Sequence, residues 1–269
     1  MNQREWSRSR FWLCHFLHNR HERVRIGWDA PIPRAPLGLG CAPSAARWMR
    51  RALGGRMPEA RRRLIAAAAA GLPEDPAFVQ CLRLLVKEEH YHAQLGARAL
   101  RRLGAPEVRP SWGRRLWQHV RHPLGLRFEL SIMLLSDLVD LNLYQRVQRS
   151  IADPALGAMC AQIIRDKQAH AAFHTERLTL EYADFNFLRR NLRRVRLRLM
   201  FALVALGALA MHQGLIRASG TGGRRFLQDC GVDFAATLER MVPYRRDTLL
   251  AALLNQRKNP YSKPFGGNG

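Results

Sequence analysis

Apolar residues recur at helical spacing along most of this chain, and no stretch alternates with the period of a strand. The pattern predicts a helical region that opens on Ser44 as N-cap. It is weakened or broken at Gly54 and Gly55, then resumes near Pro58 and runs to Gly71. Further helices are expected over about 77–102, 124–150, 155–182, 187–218 and 224–254. The turn signals LPEDP, LGAP, IADP and SGTGG fall between them. A short amphipathic piece, SWGRRLWQHV, precedes the helix at 124. Residues 11–25 fit a short helix, and the Pro- and Gly-rich stretch 29–43 reads as a linker. The expected organisation is a basic arm and linker over 1–43, a helical domain over 44–255 and a disordered tail over 256–269. Long helices with short connections make the fold class all-α, a four-helix bundle with extra C-terminal helices.

Charge changes this picture little. The chain has 269 residues and a net charge of +23, from 44 Lys and Arg against 21 Asp and Glu. The arginines scatter over every helix, and aromatics do not interleave with them as a base-stacking platform needs. Solvated helix faces account for the excess, so nucleic acid is not an expected partner. The five cysteines are odd in number and hold no C-x-x-C pair. That argues against a disulfide framework or a zinc knuckle and for a reducing compartment, the cytoplasm. The FWLCHFL run is too short and too interrupted for a secretory signal.

The chemistry concentrates at two places. Glu89-x-x-His92 sets a carboxylate and an imidazole three residues apart, on one helix face, where both can reach one ion. The run RDKQAHAAFH, from Arg165 to His174, repeats that layout with Lys167 in the place of the carboxylate. Between the two motifs, the helix over 124–150 is apolar around Asp137 and Asp140, and buried acids need a counter-charge or a metal. In bundles that hold two irons, two helices each give a Glu-x-x-His and two each give one further Glu. On that scheme Asp137 is the candidate on its helix, with Asp140 second. Glu59 is the acid available between Ser44 and Gly71. His15, His18 and His21 recur every third residue, but a frayed basic arm accounts for them more simply. Gly220 to Gly223 lacks the lysine and spacing of a phosphate-binding loop.

EEHYHA, then Asp137-Leu138-Val139, then RDKQAHAAFH resembles the pattern of bacterial ferritin-like-domain proteins in the di-iron carboxylate superfamily. The resemblance covers roughly residues 76–180. It implies a ferritin-like bundle, iron as cofactor, and dioxygen-dependent oxidation of a small organic substrate. It also implies that Glu88 supports His170 and that Asp166 supports His92. Lys167 departs from the pattern, because an ammonium donates three hydrogen bonds and accepts none. Three arrangements follow. One is a single-ion site from Glu89, His92, His170 and Asp137. Another is a metal-free core in which Lys167 pairs with the acids. The third is a site in which His174, one turn beyond His170 and two beyond Asp166, replaces the missing ligand. Function divides the same way, between an oxidoreductase with one or two irons and a non-catalytic helical binding or accessory protein without metal. A third reading is a peripheral inner-membrane enzyme of quinone-hydroxylase type. Leu199 to Met211 is apolar behind Arg193, Arg194, Arg196 and Arg198, yet shorter than the roughly 20 residues of a spanning helix. A buried bundle helix is expected there, with an interfacial helix on an anionic membrane as the alternative. A homodimer is compatible with all three.

Overall fold

A computed structural model of the chain describes residues 3–33, 44–49, 58–105, 125–183 and 185–241. These residues are all-helical, with no strand among them. The long helices are α1 (Gln3–His21), α2 (Pro58–Gly71), α3 (Pro76–Arg102), α4 (Leu126–Arg149), α5 (Pro154–Glu181), α6 (Phe187–Ala218) and α7 (Gly223–Arg240). A short helical stretch at 44–49 begins at the expected Ser44. The SWGRRLWQHV piece, Gly54 and Gly55, the C-terminal part of the helix expected to reach 254, and the tail lie outside the described residues.

The same local device starts α3 and α5. An Asp–Pro pair gives a capping carboxylate followed by a residue whose missing N–H costs the first turn nothing. Asp75 accepts from the Phe78 amide at 3.0 Å, and Asp153 accepts from the Ala155 and Leu156 amides at 2.9 and 3.2 Å. Each cap is also gripped from the far end of the other helix. Arg177 of α5 reaches Asp75 at 3.3 Å, and Arg102 of α3 donates to Asp153 at 2.7 Å. All four side chains are buried or nearly so. The two helices therefore run antiparallel with both ends tied, and their mutual register is set.

Packing contacts run from α2 to α3, α3 to α5, α5 to α4 and α4 to α2, closing a ring of four helices. Helices α6 and α7 lie against α4 and against each other. The apolar core falls into two clusters. One takes Phe78 to Leu85 of α3, Leu130 to Leu138 of α4 and Ala171 to Leu178 of α5. The other takes Leu95 to Leu100, Val139 to Val147 and Leu156 to Ile163 of the same helices. The middle turns of α3, α4 and α5 form a polar belt between them.

Two expectations change. The N-terminal segment is not a frayed arm where it is described. Ser9, Trp12, Phe16 and Asn19 of α1 share one face and are buried, and α1 packs along α3. Helix α6 is not a buried helix throughout. Leu197, Met200 and Ala208 face the core, but Leu192, Leu199 and Leu203 on the opposite side are 68%, 62% and 73% exposed.

Candidate metal centre

The polar belt is built from two sets of three residues placed alike on α3 and α5. Glu88, Glu89 and His92 on α3 correspond to Asp166, Lys167 and His170 on α5, at one constant offset along the chain. The antiparallel register makes each motif's first acid meet the other motif's imidazole. His170 Nε2 lies 2.8 Å from Glu88 Oε2, and His92 Nε2 lies 2.7 Å from Asp166 Oδ2. These are the contacts that the resemblance implies. A carboxylate on Nε2 orients an imidazole and turns its other nitrogen inward. The inward Nδ1 atoms of His92 and His170 are buried without a hydrogen-bond partner. They face one atom, Glu89 Oε1, at 3.7 and 3.5 Å.

Asp137 of α4 completes the group. Ligand atoms of Glu89, Asp137 and His170 all lie within 4.8 Å of one another, so this cluster can hold a metal ion. His174 approaches Asp137 from the other side, its Nε2 3.7 Å from Oδ2, and neither of its ring nitrogens is hydrogen-bonded. Asp140, the second choice on α4, sits at the rim with 38% of its side chain exposed. Glu59 belongs to the first turn of α2, but its side chain lies outside the described residues.

Lys167 occupies the centre of this arrangement. Its ammonium is 2.6 Å from Asp137, 2.8 Å from Glu89 and 3.4 Å from Asp140. Burial alone would lower its pKa, but the charges of Asp137, Glu89 and Asp140 outweigh that and hold it well above the ordinary lysine value. The cluster thus contains a cation tethered through the protein's own chain.

Helix α1 adds a part that hydrophobic periodicity did not reveal. The amide of Asn19 donates to Glu88 Oε1 and to Asp166 Oδ1, both at 2.9 Å. One side chain therefore pins both carboxylates that hold the imidazoles. Gln162 supports Asp166 from the adjacent turn at 2.8 Å. The spacing 9, 12, 16, 19 in the sequence was the available signal, but two of those four positions are polar. His18 and His21 are exposed while His15 packs on Trp12 and Phe16, so the three histidines do not converge.

Electrostatics divides the histidines. Burial opposes charge on His170, but hydrogen bonding to Glu88 and the carboxylates of Glu89 and Asp137 prevail and raise its pKa to about 9. For His174 burial dominates, helped by the charges of His170 and Lys167, and its pKa falls to about 4. Asp166 would be raised by burial, yet its bonds to His92, Asn19 and Gln162 hold it below the usual carboxylate range. No protein-family model matches the chain, and no curated protein matches it.

Two predictions follow from these contacts. Asn19→Ala removes the only described side chain that donates to both carboxylates; Glu88 Oε1 loses its described hydrogen bond while Asp166 keeps Gln162 and His92, and the loss costs about 1–3 kcal/mol in urea unfolding. Asn19→Asp, which adds a third carboxylate, costs more. In the metal-free chain, stability should fall as pH rises above 6.5. His170 is raised, so its contribution is complete below its ordinary pKa of 6.5 and is lost as pH rises through about 9. His174 is lowered to about 4 and the burial of Asp140 raises its carboxyl to about 6, so between pH 4 and 6 their contributions have opposite signs and offset each other. Urea unfolding from pH 6.5 to 9 in the presence of chelator reads the His170 limb, and a flat profile there would contradict the assignment.

Proposed function

We propose that this chain is a ferritin-like metalloprotein of the oxygen-activating class, an oxidoreductase acting on a small organic substrate, with a single-iron centre. The supporting observation is the pair of imidazoles whose Nε2 atoms are held by Glu88 and Asp166, while their Nδ1 atoms stand unpartnered around Glu89. Buried ring nitrogens without partners are costly in a core and useful as ligands. Two imidazoles with one carboxylate suit non-haem iron, and Asp137 offers a second carboxylate.

Glu89, His92, His170 and Asp137 would hold the ion, which when bound supplies an open position for dioxygen and redox chemistry. The chain's own residues do the rest. Glu88 and Asp166 fix the rings and make them more basic. His170 carries a proton in the metal-free state and gives it up to ligate, so affinity rises with pH. Lys167 must leave the space between Glu89 and Asp137, and Asp140 at the rim is placed to receive its ammonium. Phe16 and Phe173 pack on His170 and His174 and keep water from that side.

A second reading rests on Lys167 itself. With its ammonium already within 2.8 Å of Glu89 and 2.6 Å of Asp137, the lysine can serve as the permanent cation of a metal-free, non-catalytic binding or accessory protein.

Anaerobic loading with ferrous iron separates the readings. Wild type should retain about one iron per chain and consume dioxygen, and Lys167→Glu should retain about two, as the two-iron arrangement requires. If wild type holds none while Lys167→Glu gains metal, the second reading is right. If neither retains metal, the ligand assignment is wrong.

A further inference from the structure

Helix α6 is apolar on two opposite sides. Its inner side packs on α4 and α7. Its outer side carries Leu188, Leu192, Val195, Leu199, Leu203 and Leu206, all between 50% and 74% exposed. Their spacing of three and four residues lays them along one stripe. By length and composition α6 is apolar enough to cross a membrane, with a window of mean hydropathy 1.9, yet only 28% of that window is buried. Helix α6 packs along one side on the bundle and carries six arginines in its first twelve residues, so it suits lying on a membrane better than crossing one.

The charges identify the occupant. Helix α6 contains seven arginines and no acid. Arg189 and Arg196 border one side of the stripe, Arg194 and Arg198 the other, and all four are exposed. Such side chains lay their methylene stems along the apolar surface and lift their charged ends to the level of lipid phosphates. A second copy of α6 would set arginine against arginine. The chain's own segment beyond Met241 is also basic, with Arg245, Arg246, Arg257, Lys258 and Lys263 against Asp247. Neither complements the rim.

We propose that the outer stripe of α6 docks this protein on the surface of an anionic phospholipid bilayer, apolar residues inserted between the headgroups and flanking arginines on the phosphates. This inference stands apart from the metal reading, since it uses no residue of the polar belt.

The test is flotation of the full chain with vesicles of equal parts phosphatidylcholine and phosphatidylglycerol, against vesicles of phosphatidylcholine alone. Wild type should float with the first and not the second, and added salt should weaken binding. Leu199→Glu and Leu203→Glu together should abolish flotation with helicity unchanged, because both positions are already in water. Arg194→Gln should weaken binding about five-fold, in keeping with roughly 1 kcal/mol for each basic residue near an anionic surface. Failure of wild type to float overturns the proposal. So does equal flotation of the double variant, which would mean that diffuse charge alone binds. A dimer in sedimentation that the double variant dissolves, without flotation of wild type, would assign the stripe to self-association instead.

Discussion

The ammonium of Lys167 between Glu89 and Asp137 sets the conditions for the whole polar belt. Carboxylates gathered in the middle of a helical core repel one another and have lost most of their water. Something positive must stand among them for the fold to persist. In this protein the first claim on that place belongs to a side chain of α5. Any metal must therefore compete with a cation whose local concentration never falls. A competitor of this kind would restrict the centre to ions that gain more from the two imidazoles than the lysine gains from the two acids. The imidazoles are the discriminating part, because Lys167 is held here by carboxylates alone, whereas a transition metal can also take the Nδ1 lone pairs as ligands.

The belt is held in place from its ends. Asp75 and Asp153 cap their own helices and anchor an arginine from the other, which fixes how far α3 can slide along α5. A slip of one turn would part Glu88 from His170 and Asp166 from His92 together. Asn19 then ties the two carboxylates that hold the imidazoles, Glu88 and Asp166, to α1, so the N-terminal helix and the belt support each other. The apolar clusters above and below exclude water and make each of these bonds stronger than it would be at the surface.

Much of the belt was legible in the sequence, because i, i+3 spacing on a helix fixes which side chains share a face whatever surrounds them. Glu89 with His92, and Lys167 with His170, needed no tertiary information. The turns LPEDP and IADP likewise marked the starts of α3 and α5. What escaped were features decided by the partner rather than by the element. In α1 the inward face carries Ser9 and Asn19 beside Trp12 and Phe16, so its apolar signal is diluted by the polar residues that do its work. In α6 the residues are apolar on nearly every side beyond Arg198, and periodicity cannot tell which stripe another helix will cover.

Long-range proton–nitrogen correlation spectra of the histidine rings, recorded while zinc is added to the full chain, test the proposed centre most directly. The expected result has His92 and His170 protonated at Nε2 throughout, with His170 losing the proton on Nδ1 and both Nδ1 resonances shifting as one ion binds. Nδ1 resonances unmoved by metal, or a change at Nε2 in its place, would contradict the assignment of these two imidazoles as ligands.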